Sequence, residues 1–66
     1  MRFRVQYRLK HSTEIKTTEP FSARAEAIKT GNNLKATSAA VILQFDHESD
    51  GHPAAAGKWF LDIVIK

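Results

Sequence analysis

Sixty-six residues leave room for one domain, 1–66, and a net charge of +3 with a pI near 9.6 makes the chain mildly basic. With 42% apolar and 26% charged residues the balance is globular, and the lack of cysteine excludes a disulfide scaffold, a zinc–thiolate centre and a thiol nucleophile. No apolar run approaches the roughly 20 residues that span a bilayer, and the amino-terminal stretch alternates instead of forming an apolar signal segment, so the expectation is a cytoplasmic protein with no membrane partner.

The first ten residues, MRFRVQYRLK, set Met1, Phe3, Val5, Tyr7 and Leu9 against Arg2, Arg4, Arg8 and Lys10, with Gln6 the one uncharged residue in the polar set. Successive side chains of a strand point to opposite faces, so this pattern predicts a strand that is apolar on one side and cationic on the other. His11-Ser12-Thr13 reads as a turn, and Glu14–Thr18 as a second strand running back antiparallel. If Ile15 turns to the core, Glu14, Lys16 and Thr18 join the cationic side, where Glu14 falls opposite Arg8 or Lys10 and offsets part of the charge. Glu19-Pro20 ends that strand. Ser22 is a candidate N-cap for a helix favoured by Ala23, Ala25 and Ala27, with Glu26 in its first turn and Ala27, Ile28 and Leu34 on its apolar face. Gly31 reads either as the helix C-cap or as a close approach to the sheet, and the helix is expected to end between Thr30 and Lys35.

SAAVILQFD, 38–46, predicts a third strand with Ala39, Val41, Leu43 and Phe45 on one face and Ala40, Ile42, Gln44 and Asp46 on the other. A loop over 47–57 holds Gly51, Pro53 and an alanine run. KWFLDIVIK, 58–66, predicts a fourth strand with Trp59, Leu61, Ile63 and Ile65 inward and Phe60, Asp62, Val64 and Lys66 outward. The order is ββαββ. Its simplest closure is an α+β two-layer fold: a four-stranded antiparallel sheet in the order 2-1-3-4 with the helix on one face.

Little in the chain suggests a reaction. DHESDG places Asp46, Glu48, Asp50 and Gly51 like the opening of an EF-hand loop, but the later ligand positions fall on Ala54 and Gly57 and no helix flanks them. His47 and His52 with Asp50 match no recognised metal template, so the loop reads as a solvated connection. The serines fall in turns, at a cap or at a strand start, and no nucleophile elbow or phosphate-cradling loop occurs. The expectation is a non-enzymatic protein without catalytic residues, metal or cofactor.

The constellation that remains is the open face of the sheet, with Arg2, Arg4, Arg8, Lys10, Lys16, Ile42, Phe60 and Val64. Arginine beside aromatic and aliphatic groups is the mixture of a recognition patch. Two partners fit it. On nucleic acid, Phe60 would stack a base while the arginines neutralise phosphates; on protein, the face would meet an acidic surface. Homodimerisation through Ile42, Phe60 and Val64 is the alternative. Strand preference alone also enriches aromatic and branched residues.

A basic alternating first strand, a short hairpin, the PFSARAEAI stretch and the closing GKWFLDIVIK resemble, in the order of elements, small phage-encoded α+β proteins. Anti-CRISPR proteins and phage inhibitors of host RNA polymerase are among them. The resemblance implies a stoichiometric binder that occupies a host nucleic-acid machine without turnover; it assigns no residue a role.

Overall fold

A computed structural model describes residues 1–46 and 58–66. Its elements are β1 (Arg2–Leu9), β2 (Lys16–Thr17), α1 (Arg24–Leu34), β3 (Ser38–Asp46) and β4 (Phe60–Val64). The strands form one antiparallel sheet in the order β2-β1-β3-β4, the predicted α+β arrangement. β1 and β3, the two most regularly alternating stretches, pair along their length from Arg2↔Asp46 to Leu9↔Ser38 and form the centre of the sheet. Phe3, Val5, Val41 and Leu43 close with Ala27 of the helix into the buried core, against which Tyr7, Phe21, Ile28, Leu34, Phe45 and Ile65 pack. Among the described residues no helix is long and apolar enough to cross a membrane.

The second strand is shorter than its sequence suggests, and its faces are reversed. Lys16 pairs with Tyr7 and Thr17 with Gln6. Directly opposed residues share a face. Lys16 therefore lies on the helix side with Tyr7, while Ile15, 56% exposed, falls on the open face. The turn sets this register: the Ser12 N–H donates to the Leu9 carbonyl, and His11 sits in the left-handed region at φ 64°. A slip of one residue exchanges every side chain between faces, so Glu14 does not join the cationic row as expected. Beyond β2 the chain still follows β1. Thr18 and Val5 exchange bonds of 3.0 Å, and Phe21 and Phe3 exchange backbone bonds of 2.6 and 2.8 Å.

The helix begins one residue later than the Ser22 cap predicts. Ala23 occupies the cap position in an extended conformation and supplies no side-chain bond. Of the two readings of Gly31, the close approach is the one the fold uses. A Cβ there would overlap Cδ1 of Ile65 and stand 3.6 Å from Cγ1 of Val41.

Two bulges complete the rearrangement of faces. Leu9 pairs with Ser38 and Arg8 with Ala40, so Ala39 is the extra residue; it is exposed while Ser38 is buried, against the expected alternation. Gln44 pairs with Leu61 and Leu43 with Ile63, so Asp62 is extra in β4. A bulge shifts the pairing by one and re-aims what precedes it. Leu61 accordingly shares the open face with Gln44, and Phe60 shares the helix side with Phe45, their ring centroids 5.6 Å apart. Both reverse the expectation. Asp62 turns toward the helix and accepts two bonds from Arg24, at 2.9 and 3.1 Å.

Candidate functional site: the open sheet face

The open face carries Arg2, Arg4, Gln6 and Arg8 from β1, Ala40, Ile42, Gln44 and Asp46 from β3, and Leu61 and Val64 from β4. Its rows can be followed across the strands. At one end Arg2 reaches the fully buried Asp46, with Nη2 2.7 Å from Oδ2 and Nε 3.4 Å from Oδ1. A buried carboxylate is tolerable only when paired and hydrogen-bonded, and a planar guanidinium does both. The charge of Arg2 is thus spent largely within the fold, although its side chain stays 37% exposed.

In the next row the Arg4 Nε–H donates to Oε1 of Gln44 at 2.7 Å. Trp59 serves both arginines. The guanidinium carbons of Arg4 and Arg2 stand 4.3 and 5.5 Å from the centre of its indole, within cation–π range. Trp59 is therefore on the open face, not in the core where simple alternation puts it. Burial lowers the pKa of the Arg4 guanidinium from its ordinary value, and the nearby Asp46 charge opposes that shift.

Gln6, Ile42 and Val64 form the third row, and Val64 is 64% exposed. Arg8 follows, giving Nη1 to the Ser12 carbonyl at 3.0 Å. Between these rows Gln6, Tyr7, Arg8, Ile15, Ala40, Val41 and Ile42 line an open depression of about 120 Å³.

No protein-family model, curated protein or solved structure matches the chain. The chemistry of the face is what bears on function.

Of the residues predicted for this face, Arg2, Arg4, Arg8, Ile42 and Val64 come together. Lys16 and Phe60 do not, because the register of β2 and the bulge in β4 turn them to the helix side. Lys10 is exposed in the turn after β1, its backbone N–H bonded to the Thr37 carbonyl at 3.1 Å. Lys66 extends Nζ to the Lys35 carbonyl at 2.8 Å, beyond the end of the helix. Ile15, Leu61 and Trp59 are members that alternation assigns to the other side. Alternation also assigns Gln44 and Asp46 to this face, but their role as partners of Arg4 and Arg2 needs the β1–β3 register.

Asp46, first acid of the DHESDG stretch, is engaged by Arg2 on the open face and fully buried there. His47, Asp50, His52 and the rest of 47–57 lie outside the described residues. Among the described residues no group of three or more acids and histidines converges as a metal site.

Proposed function

We propose that this chain is a non-enzymatic cytoplasmic binding protein that docks its open sheet face on an acidic protein surface. In the phage-type, anti-CRISPR-like version, that surface belongs to a host nucleic-acid-handling complex and docking blocks it. The observation that carries the reading is the pairing of oriented arginines with exposed aliphatic groups. Arg4 is held by Gln44 and Trp59 and Arg8 by Ser12, beside Ile15, Leu61 and Val64, which are 56, 57 and 64% exposed. An arginine fixed in advance loses less side-chain freedom on binding. Arginine and tryptophan within apolar surroundings are also the usual composition of interface hot spots.

Two observations favour protein over nucleic acid. Base stacking needs an open aromatic face on the cationic side, whereas Trp59 already carries Arg4 at 4.3 Å and Phe60 lies against Phe45 on the other side of the sheet. The test is capture from a nuclease-treated cell lysate, with Arg4→Glu/Arg8→Glu as the comparison. The reading expects a protein that survives nuclease and is lost with charge reversal. Capture that vanishes with nuclease, or ignores the variant, contradicts it.

A second reading, self-association, draws on β4. This edge strand exposes Phe60, Leu61, Ile63 and Val64 at 41, 57, 37 and 64%. Apolar side chains exposed on an edge strand invite a second copy. Sedimentation as a dimer that Val64→Glu converts to monomer supports this reading over the first.

A further inference from the structure

We propose that Arg4 is the point at which this face grips its partner, receiving one Asp or Glu carboxylate end-on through its two terminal amino groups. The inference rests on the docking reading above and adds the chemical group that is recognised.

The guanidiniums on the face are not equivalent. Arg2 is committed to the Asp46 carboxylate through Nη2 and Nε, and Arg8 gives Nη1 to the Ser12 carbonyl. Arg4 gives only its Nε–H, and to a neutral amide oxygen, so neither terminal amino group has an acceptor among the described residues. Those two groups form the end-on fork that matches both oxygens of a carboxylate.

Both freedoms that would blur the fork are restrained. Trp59 packs against its guanidinium at 4.3 Å and limits its swing, and the 2.7 Å bond to Gln44 holds its Nε and limits its rotation. Burial lowers the Arg4 pKa and the nearby Asp46 charge opposes that shift, while the Asp46 oxygens themselves are bonded to Arg2. An arriving carboxylate adds the charge-assisted hydrogen bonds that Asp46, bonded to Arg2, does not give Arg4. Leu61, opposite Gln44 and 57% exposed, offers apolar contact at the same place. That suits an acidic side chain on a protein better than a phosphate on a solvated backbone. The net charge of +3 draws such a surface in.

Trp59 is the only tryptophan, so its emission reports directly on a ligand at Arg4. The full chain is titrated with a hexaglutamate peptide at fixed ionic strength, following emission in wild type, Arg4→Lys, Arg8→Lys, Gln44→Leu and Leu61→Glu/Val64→Glu. Arg4→Lys and Arg8→Lys conserve charge, which makes them a fair pair. The expected result is a saturable change, weakened about tenfold by Arg4→Lys and no more than about twofold by Arg8→Lys. Gln44→Leu frees the fork without touching it and is expected to weaken binding several-fold. It stands in for Arg4→Lys if that variant unfolds.

Equal affinities for wild type and Arg4→Lys overturn the proposal, as does equal weakening by the two lysine variants. So does the absence of saturation by the peptide, or a tighter response to polyphosphate or oligothymidylate. If Leu61→Glu/Val64→Glu abolishes binding while Arg4→Lys does not, the docking face stands and the role of Arg4 falls. If every variant binds alike, the docking face falls too.

Discussion

Asp46 shows most directly how the fold uses the basic row. It is an acid at the last position of β3, fully buried, and its partner Arg2 is the first residue of β1. Deleting one member of a buried pair leaves the other unanswered, which costs about 3–5 kcal/mol when both are enclosed. Arg2 is partly open to water, so Asp46→Ala is expected to cost less, about 1–3 kcal/mol, read as a lowered urea midpoint. Ser38 is the opposite case. Its hydroxyl is buried beside the bulge with no hydrogen-bond partner among the described residues. Ser38→Ala removes an unsatisfied group and is expected to leave stability unchanged or raise it by up to about 1 kcal/mol in the same assay. Both residues lie in a stretch whose alternation was plain to read. Their roles were not, because those depend on which β1 residue each meets.

The elements differ in how far the sequence specified them. β1 and β3 were legible because each carries long alternation and each needs the other to bury its apolar set. β2 was not, because in EIKTT one apolar residue cannot fix a register against the geometry of the preceding turn. The β4 bulge was also hidden. Asp62 carries no compositional mark of an inserted residue, and its place is fixed by the bonds from Arg24 on a different element. That contact gives a pH prediction. Hydrogen bonding from Arg24 lowers the Asp62 pKa and raises that of Arg24. A carboxyl lowered by folding contributes stability that is present above its unfolded pKa, about 3.9, and lost as pH falls through the lower folded value. Arg24→Met should remove this contribution, so the loss of thermal stability between neutral and acid pH becomes shallower than in wild type. The start of α1 offers a gain instead. Ala23 caps nothing, and Glu26 stands three residues on. Ala23→Ser completes a capping box and is expected to add about 0.5–1 kcal/mol, seen as a higher melting temperature.

For the whole molecule, the positive charge of β1 is only partly surplus to folding. A chain this short has net stability of only about 3–5 kcal/mol, so arginines that pair, stack and cover apolar surface contribute to a fold with little to spare. Arg2 belongs mostly to that structural role, Arg8 is bonded through Nη1 to the Ser12 carbonyl, and Arg4 is bonded only through Nε among the described residues. What distinguishes the open face is the joining of those cations to Ile15, Ile42, Leu61 and Val64 on a side of the sheet that the helix does not cover. Methyl NMR on the isotopically labelled chain, titrated with the partner captured from nuclease-treated lysate, examines that face directly. Docking there predicts that the methyls of Ile15, Ile42, Leu61 and Val64 shift together while those of Ile28 and Ile63 on the helix side stay in place. Shifts centred on Ile28 and Ile63, with the open-face methyls unmoved, would contradict it.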